Sequence, residues 1–262
     1  MYKDIRVLLV EDDPYARDLM ALLLTRDWRT RVVATVTDQQ GLSRFLAQHD
    51  AKVDVVVMDT EIPEAPELAF ELAEMTQALF AEPAILYTAT KSSPRTVEQL
   101  FSAARGGYIL KGELFYGLAP AIAMVAAGKL VITPGIAQYV MPTVYPDDVY
   151  VLDGREMLGR FTHREGELVR LGLIFNLSTR DMADELVLSA GWISEIMSSV
   201  YQKLGVRDIL SGDMPLEYYF EDEAILAHCR EILKNNDKKG RKAPWMATLA
   251  FHLLTMPDIQ KI

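Results

Sequence analysis

The chain has 262 residues, of which 50% are hydrophobic and 24% are charged, as in ordinary soluble globular proteins. This length predicts two compact domains. The sequence has neither a membrane-length apolar run nor the layout of a secretory signal, so we expect neither membrane insertion nor export. One cysteine, Cys229, excludes an intrachain disulfide and favours a cytoplasmic location. The net charge of −10 excludes a protein that coats nucleic acid nonspecifically.

Residues 1–128 alternate short apolar runs with longer amphipathic stretches. The runs have the length and β-branched content of buried strands and lie at Ile5–Val10, Arg31–Thr35, Val53–Met58, Ala84–Tyr87 and Tyr108–Leu110. Helical periodicity lies at Tyr15–Leu24, Gln40–Ala47, Leu68–Phe80, Thr96–Ala104 and Phe115–Ala127. The alternation predicts a doubly wound α/β domain with a five-stranded parallel sheet, in which ligands bind at the carboxyl ends of the strands.

Polar side chains follow four of these predicted strands. Glu11 and Asp12 follow the first strand, Asp59 ends the third, Thr88 ends the fourth and Lys111 follows the fifth. In a sheet of flavodoxin-like order these strand ends are neighbours, so we expect one shared pocket. The three carboxylates are suitable ligands for Mg²⁺. The chemistry further predicts that Asp59 is a nucleophile towards a phosphoryl group, whose oxygens Thr88 and Lys111 stabilise.

The segments LLVEDDP, VVVMDTEIP, ILYTAT and GGYILKGE resemble the motifs of receiver domains in two-component response regulators. The resemblance covers about residues 1–128 and implies a histidine kinase as phosphoryl donor. It also implies that the backbone carbonyl of Glu61 is a metal ligand and that Tyr108 is a switch residue that packs inward when Thr88 moves towards phosphate. Beyond its own phosphorylation and dephosphorylation, such a domain is not an enzyme. The segment VAAGKLVITPGIAQYV is similar to the NarL/FixJ branch.

Residues 129–160 are rich in proline and predict a linker with a short helix at Gly135–Met141. Two capping-box patterns follow, Thr162-x-x-Glu165 and Ser178-x-x-Asp181, and each predicts the start of a helix. A third helix is predicted from about Ala190 to Leu204, with Gly205 at its end. This arrangement favours a helix-turn-helix.

Residues 161–207 resemble the LuxR-type helix-turn-helix, although the predicted recognition helix has no cation before Lys203. The candidate DNA-binding residues are Trp192, Ser194, Glu195, Ser198, Ser199 and Lys203, with Lys238, Lys239, Arg241 and Lys242 in the tail. Residues 208–262 are predicted to be a helical extension, with one helix around Ile225–Leu233 and another around Trp245–Met256. The resemblance does not extend into this part.

The main hypothesis is a phosphorylation-controlled transcription regulator that binds DNA as a homodimer. The apolar helix Leu118–Ala126 is the expected dimer contact, on the face next to the fifth strand. The alternative keeps the receiver domain but makes residues 161–262 a protein-interaction module with a degenerate helix-turn-helix that does not bind DNA. An enzymatic output has little support, because residues 129–262 contain no glycine-rich phosphate loop, nucleophile elbow or paired metal motif.

Overall fold

The computed structural model describes residues 4–48, 52–62, 76, 83–91, 94, 97–98, 106–139, 149–236 and 243–262. The chain divides into two compact units. The first contains Met1–Arg155 together with Pro257–Ile262, and the second contains Glu156–Met256. Within the described ranges, none of the helices has the length and apolar character needed to span a bilayer.

The first unit is built on a single sheet with helices between its strands. Its strands are β1 Ile5–Val10, β2 Thr30–Val36, β3 Val55–Asp59, β4 Ala84–Ala89, β5 Gly106–Leu110, β6 Leu130–Ile132, β7 Val149–Asp153 and β8 Asp258–Lys261. Its described helices are α1 Pro14–Arg26, α2 Gln39–Gln48, α3 Lys111–Leu114, α4 Leu118–Ala126 and α5 Pro134–Ala137, and α6 Arg155–Gly159 begins at its boundary. The predicted helices at Leu68–Phe80 and Thr96–Ala104 lie outside the described residues except for residues 76 and 97–98, which are helical.

The strand order is β2-β1-β3-β4-β5-β6-β7-β8. The first five strands pair in parallel, which confirms the predicted doubly wound sheet. Alternate strand residues point to opposite faces, so the strands contribute to two separate cores. Leu8 and Met58 belong to the core on one face, and Leu9 and Val57 belong to the core on the other. Because both faces of the sheet are buried, the sequences of its strands are nearly continuous runs of apolar residues.

The prediction of a linker at residues 129–160 was wrong for most of the described part of that segment. β6 and β7 extend the sheet in parallel beyond β5, and β8 then pairs antiparallel with β7. The predicted receiver boundary at residue 128 therefore moves to Arg155, and the end of the chain returns to the same unit. The reason is burial, because all three residues of β6 are buried although the strand is too short to show a pattern. The short helix lies at Pro134–Ala137.

The apolar face of α4 covers the sheet. Six of its residues are buried, namely Leu118, Ala119, Pro120, Ala121, Ile122 and Val125, and five of these belong to the core cluster on that face. These side chains pack inside the first unit, and the side of the helix with Ala123, Met124 and Ala126 is only partly covered, so the contact through this helix stays a prediction. The homodimer itself stays a prediction.

The second unit is helical. Its elements are α7 His163–Leu168 with a π-helical continuation at Val169–Ile174, α8 Thr179–Leu186, α9 Ala190–Lys203, α10 Val206–Ser211, a 3₁₀ turn at Leu216–Tyr218, α11 Glu223–Asn236 and α12 Ala243–Thr255. The predicted helices therefore form, including the two in the tail. The tail helices belong to the same unit as the helix-turn-helix, so the predicted division at residue 207 was wrong.

Local sequence signals fix the ends of the helices in the second unit. Thr162 and Ser178 each form the predicted capping box, which satisfies backbone N–H groups at the first turns of α7 and α8. Ser189 caps α9 by accepting from a backbone N–H. Gly205 has φ +77°, a left-handed conformation that glycine adopts without strain, and follows the end of α9 as predicted.

Candidate functional site

The carboxyl ends of β1, β3, β4 and β5 bring the predicted receiver residues together. Glu11 directly follows β1, Asp59 ends β3 and pairs in register with Thr88 of β4, and Lys111 directly follows β5. One oxygen from each of Glu11, Asp12 and Asp59 lies within 4.8 Å of the others. The sheet therefore concentrates three carboxylates and one ammonium group at one edge.

Lys111 lies between two of these carboxylates. Its Nζ is 2.8 Å from Glu11 Oε2 and 3.3 Å from Asp59 Oδ2. Both carboxylates are almost fully buried, whereas the lysine side chain keeps 20% of its surface exposed. An exposed ammonium group beside two buried acids can hydrogen-bond to an incoming anion without leaving the site.

Burial and neighbouring charges shift the pKa values of Glu11 and Lys111 in this cluster. Burial, followed by the charge of Asp59, raises the pKa of Glu11 to about 7, although Lys111 opposes this shift. Burial lowers the pKa of Lys111, but Glu11 and Asp59 together outweigh that effect and raise it. Three acids and one base leave the cluster with excess negative charge. The residues fit Mg²⁺, because hard carboxylate oxygens are the ligands that this ion prefers.

Three further predicted residues surround Asp59. Thr88 is fully buried, and its hydroxyl group has no hydrogen-bond partner among the described residues. The backbone N–H of Glu61 donates to Asp59 Oδ1 at 3.1 Å, and the Glu61 carboxylate accepts from the backbone N–H of Thr90 at 2.6 Å. Tyr108 is buried within β5 with 1% exposure. The metal-binding role of Glu61 and the switch role of Tyr108 stay predictions.

The exposed start of α9 contains three of the predicted DNA-binding residues. Trp192 is 38% exposed, and the guanidinium carbon of Arg164 lies 5.3 Å from its ring centroid. The hydroxyl group of Ser194 donates to the carbonyl of Ala190 at 2.9 Å, and Glu195 is exposed. This part of the helix presents an aromatic side chain and a carboxylate, without a cation of its own.

Ser199 and Lys203 contact a buried carboxylate within the second unit. The Ser199 hydroxyl donates to Glu165 Oε1 at 2.8 Å, and Lys203 Nζ lies 2.6 Å from Glu165 Oε2. Burial raises the pKa of Glu165, but hydrogen bonds from Lys203, Thr162 and Ser199 outweigh it and lower the pKa to about 2. Sequence reasoning missed this structural role, because the partners are more than 30 residues apart.

The remaining predicted DNA-binding residues either contact another residue of the second unit or lie outside the described residues. Ser198 accepts a hydrogen bond from the guanidinium group of Arg207. The four tail cations Lys238, Lys239, Arg241 and Lys242 lie outside the described residues. Among the other cations of the helix-turn-helix, Arg170 and Arg180 are exposed, so they remain candidates for phosphate contacts.

Comparison with known proteins identifies the first unit. Residues 7–118 match the response regulator receiver domain. The chain is 22% identical to the Fimbriae Z protein of Salmonella typhimurium, over 79% of this chain and 94% of that protein. It is 24% identical to the transcriptional regulatory protein LnrK of Bacillus subtilis, over 78% of this chain and 92% of that protein. A crystal structure of the response regulator ChrA, from a heme-sensing two-component system, matches with 25% identity and a TM-score of 0.41, over 77% of this chain and 90% of that one.

These matches agree with the geometry of the site. The receiver match includes all four strand ends that contribute to the acidic cluster. The alignment with the Fimbriae Z protein extends over 208 residues, which is longer than either unit, so the similarity reaches both. Residues 7–118 are therefore a response regulator receiver domain, and the helical unit with the predicted helix-turn-helix follows it along the chain.

Proposed function

We propose that Asp59 accepts a phosphoryl group from a histidine kinase, and that the second unit then binds DNA as a homodimer and regulates transcription. The observation that carries the proposal is the convergence of Lys111 with Glu11, Asp12 and Asp59 at one edge of the sheet. The similarity to a transcriptional regulatory protein over both units supports the second part.

In the proposed reaction a carboxylate oxygen of Asp59 forms a bond to phosphorus. The bond from phosphorus to the histidine nitrogen of the donor breaks, and its electron pair leaves with that nitrogen. Lys111 donates hydrogen bonds to the transferring group, and the buried hydroxyl of Thr88 is free to do the same. Both groups stand in place before the reaction, so they stabilise the developing charge with little reorganisation.

Mg²⁺ is part of this proposal. Glu11, Asp12 and Asp59 would hold the ion, together with the backbone carbonyl of Glu61. When bound, it would neutralise the carboxylates and the phosphoryl oxygens, which otherwise repel one another. The raised pKa of Glu11 agrees with this role, because burial and, to a smaller extent, the charge of Asp59 disfavour an ionised carboxylate that a bound cation would stabilise.

Intact mass spectrometry with a small-molecule phosphodonor tests the acceptor. We expect one phosphoryl group on the wild type in the presence of Mg²⁺ and none on Asp59→Asn, which keeps the shape of the side chain but removes the nucleophile. Asp18→Asn is a matched control, because that carboxylate is 82% exposed on α1. Equal labelling of the wild type and Asp59→Asn would exclude Asp59 as the acceptor.

A protein-interaction output is the second candidate function. It is favoured by the composition of α9, whose single cation, Lys203, is paired with Glu165. Trp192, Glu195 and Ile196 would then form a docking face. DNA affinity separates the candidates, because its logarithm should fall with the logarithm of salt by about 0.9 per neutralised phosphate. Absence of binding at low salt by the phosphorylated protein would favour protein docking.

The tail cations supply a test of how the second unit contacts phosphates. Replacing Lys238, Lys239, Arg241 and Lys242 with alanine should flatten the salt dependence if the four cations neutralise phosphates. An unchanged slope with persistent binding would exclude the tail as a phosphate clamp.

A further inference from the structure

The short helix that begins at Lys111 accepts hydrogen bonds from residues that follow β6 and β7. In α3, the carboxylate of Glu113 accepts from the backbone N–H of Gly135 at 2.7 Å and from Arg155 Nη1 at 3.1 Å. The backbone carbonyl of Glu113 accepts from the N–H of Gly154 at 2.8 Å. Glu113 is two residues from Lys111, so these bonds fix the helix on which the lysine depends.

Two further contacts strengthen the same connection. The backbone N–H of Leu110, the residue before Lys111, donates to the buried hydroxyl of Thr133 at 3.0 Å. Gly154 packs so closely on the carbonyl of Leu114 that a Cβ atom there would collide with it. Residues directly after β6 and directly after β7 therefore contact α3 or the residue before it, and close packing couples their positions.

Arg155 contacts Glu113 of α3 and lies where the chain leaves the first unit. Its guanidinium group contacts both carboxylate oxygens of Asp153, with Nε 3.0 Å from Oδ1 and Nη2 2.7 Å from Oδ2. The same guanidinium donates to Glu113. Arg155 is the last residue of the first unit before the chain continues at Glu156. The geometry of Arg155 is therefore set by a residue of the lysine-bearing helix.

We propose that Glu113 and Arg155 are positioning residues through which the state of the phosphoryl site reaches the second unit. The inference rests on the proposed phosphorylation of Asp59. When Lys111 turns from Glu11 and Asp59 towards a phosphoryl group, α3 shifts with it. Its contact with Arg155 then changes the start of α6 and so the entry to the second unit. The signal passes through the direct contact of Glu113 with Arg155 and does not require the apolar surface of α4.

Hydrogen exchange measured by mass spectrometry on the full chain tests this inference. In the wild type, phosphorylation should change exchange rates within residues 156–256 by about fivefold or more, the lower end of ordinary allosteric coupling. In Arg155→Ala we expect Asp59 to be labelled to the wild-type extent while this exchange difference is lost, and in Glu113→Gln we expect the difference to be lost among the molecules that are labelled. Arg155 is 47% exposed, so its replacement should leave the unit folded.

Arg160→Ala is the matched control, because that side chain is 49% exposed and forms an ion pair with Glu156. It should keep the wild-type response. A phosphorylated wild type without any exchange difference in residues 156–256 would overturn the inference, as would an undiminished difference in both variants. A wild type that is not labelled on Asp59 would instead contradict the proposed function. The two failures are therefore distinguishable.

Discussion

Each unit contains a buried acid beside a lysine, and the surroundings of these two acids differ. In the first unit, Glu11 shares Lys111 with Asp59, and its pKa rises to about 7. In the second unit, Glu165 accepts hydrogen bonds from Lys203, Ser199 and Thr162, and its pKa falls to about 2. A lysine is close to a buried carboxylate in both places. Only in the second unit do the local groups satisfy the acid.

The difference separates a functional cluster from a structural one. The functional cluster is Glu11, Asp12, Asp59 and Lys111, and the structural cluster is Glu165 with Thr162, Ser199 and Lys203. A buried acid with complete hydrogen bonding stabilises its surroundings and needs no ligand. A cluster that holds uncompensated charge is unfavourable on its own and becomes favourable when a cation and an anion bind. The ion pair between Lys203 and Glu165 therefore supports the fold of the helix-turn-helix, whereas the ion pair of Lys111 belongs to the cluster that we propose accepts a phosphoryl group.

The largest expected effect concerns the extent of the first unit. Leu152 of β7 is fully buried in the core on one face of the sheet. Leu152→Ala should lower the free energy of unfolding of the first unit by about 2–5 kcal/mol, because it leaves a cavity. Native-state hydrogen exchange resolves the two units separately. Leu210→Ala, at a residue 42% exposed in the second unit, is the control and should have little effect. A loss no larger than the control's would mean that β7 is a linker after all.

The next effect tests the structural cluster. Glu165→Gln should lower the free energy of unfolding of the second unit by about 1–3 kcal/mol, because Lys203 loses its charged partner. The folded pKa of about 2 lies below the ordinary value of 4.5, so this contribution is present above pH 4.5 and is lost as the pH falls towards 2. The variant should show a smaller loss of stability over that range. An acid response equal to that of the wild type would contradict the assignment.

The smallest effect tests the functional cluster. Without Mg²⁺, Glu11→Gln should leave the free energy of unfolding of the first unit unchanged or raise it by up to about 1 kcal/mol, since it removes uncompensated negative charge. Denaturant unfolding of both variants under one condition compares the two clusters directly. A loss as large as that in Glu165→Gln would show that the two clusters do not differ.

The acidic site could be predicted from the sequence because its residues lie directly at the ends of apolar strands. If the strands pair in parallel, residues at their carboxyl ends lie at the same edge of the sheet, so the sequence predicts that they meet. The helix starts at Thr162 and Ser178 were predictable for a similar reason, since a capping box is a local pattern. The doubly wound parallel sheet followed from the alternation of strands and helices.

The last three strands gave no comparable signal. β6 has three residues, and β8 reads DIQK, which is too polar for a buried strand although it suits a protected sheet edge. The contacts of Glu113 with Arg155 and of Lys203 with Glu165 join residues about 40 positions apart, which periodicity does not reveal. The resemblance to a recognition helix predicts a DNA contact for Lys203, whereas its ammonium group contacts Glu165 within the unit.

The most direct test of the account is the affinity for duplex DNA of the full chain before and after treatment with a small phosphodonor and Mg²⁺. Asp59→Asn, treated identically, is the control. We expect tighter DNA binding by the treated wild type and no change in the affinity of the variant. The affinity of the wild type should also fall with rising salt. Equal affinities of the treated and untreated wild type, with Asp59 shown by mass to be phosphorylated, would contradict the claim that this site controls the second unit.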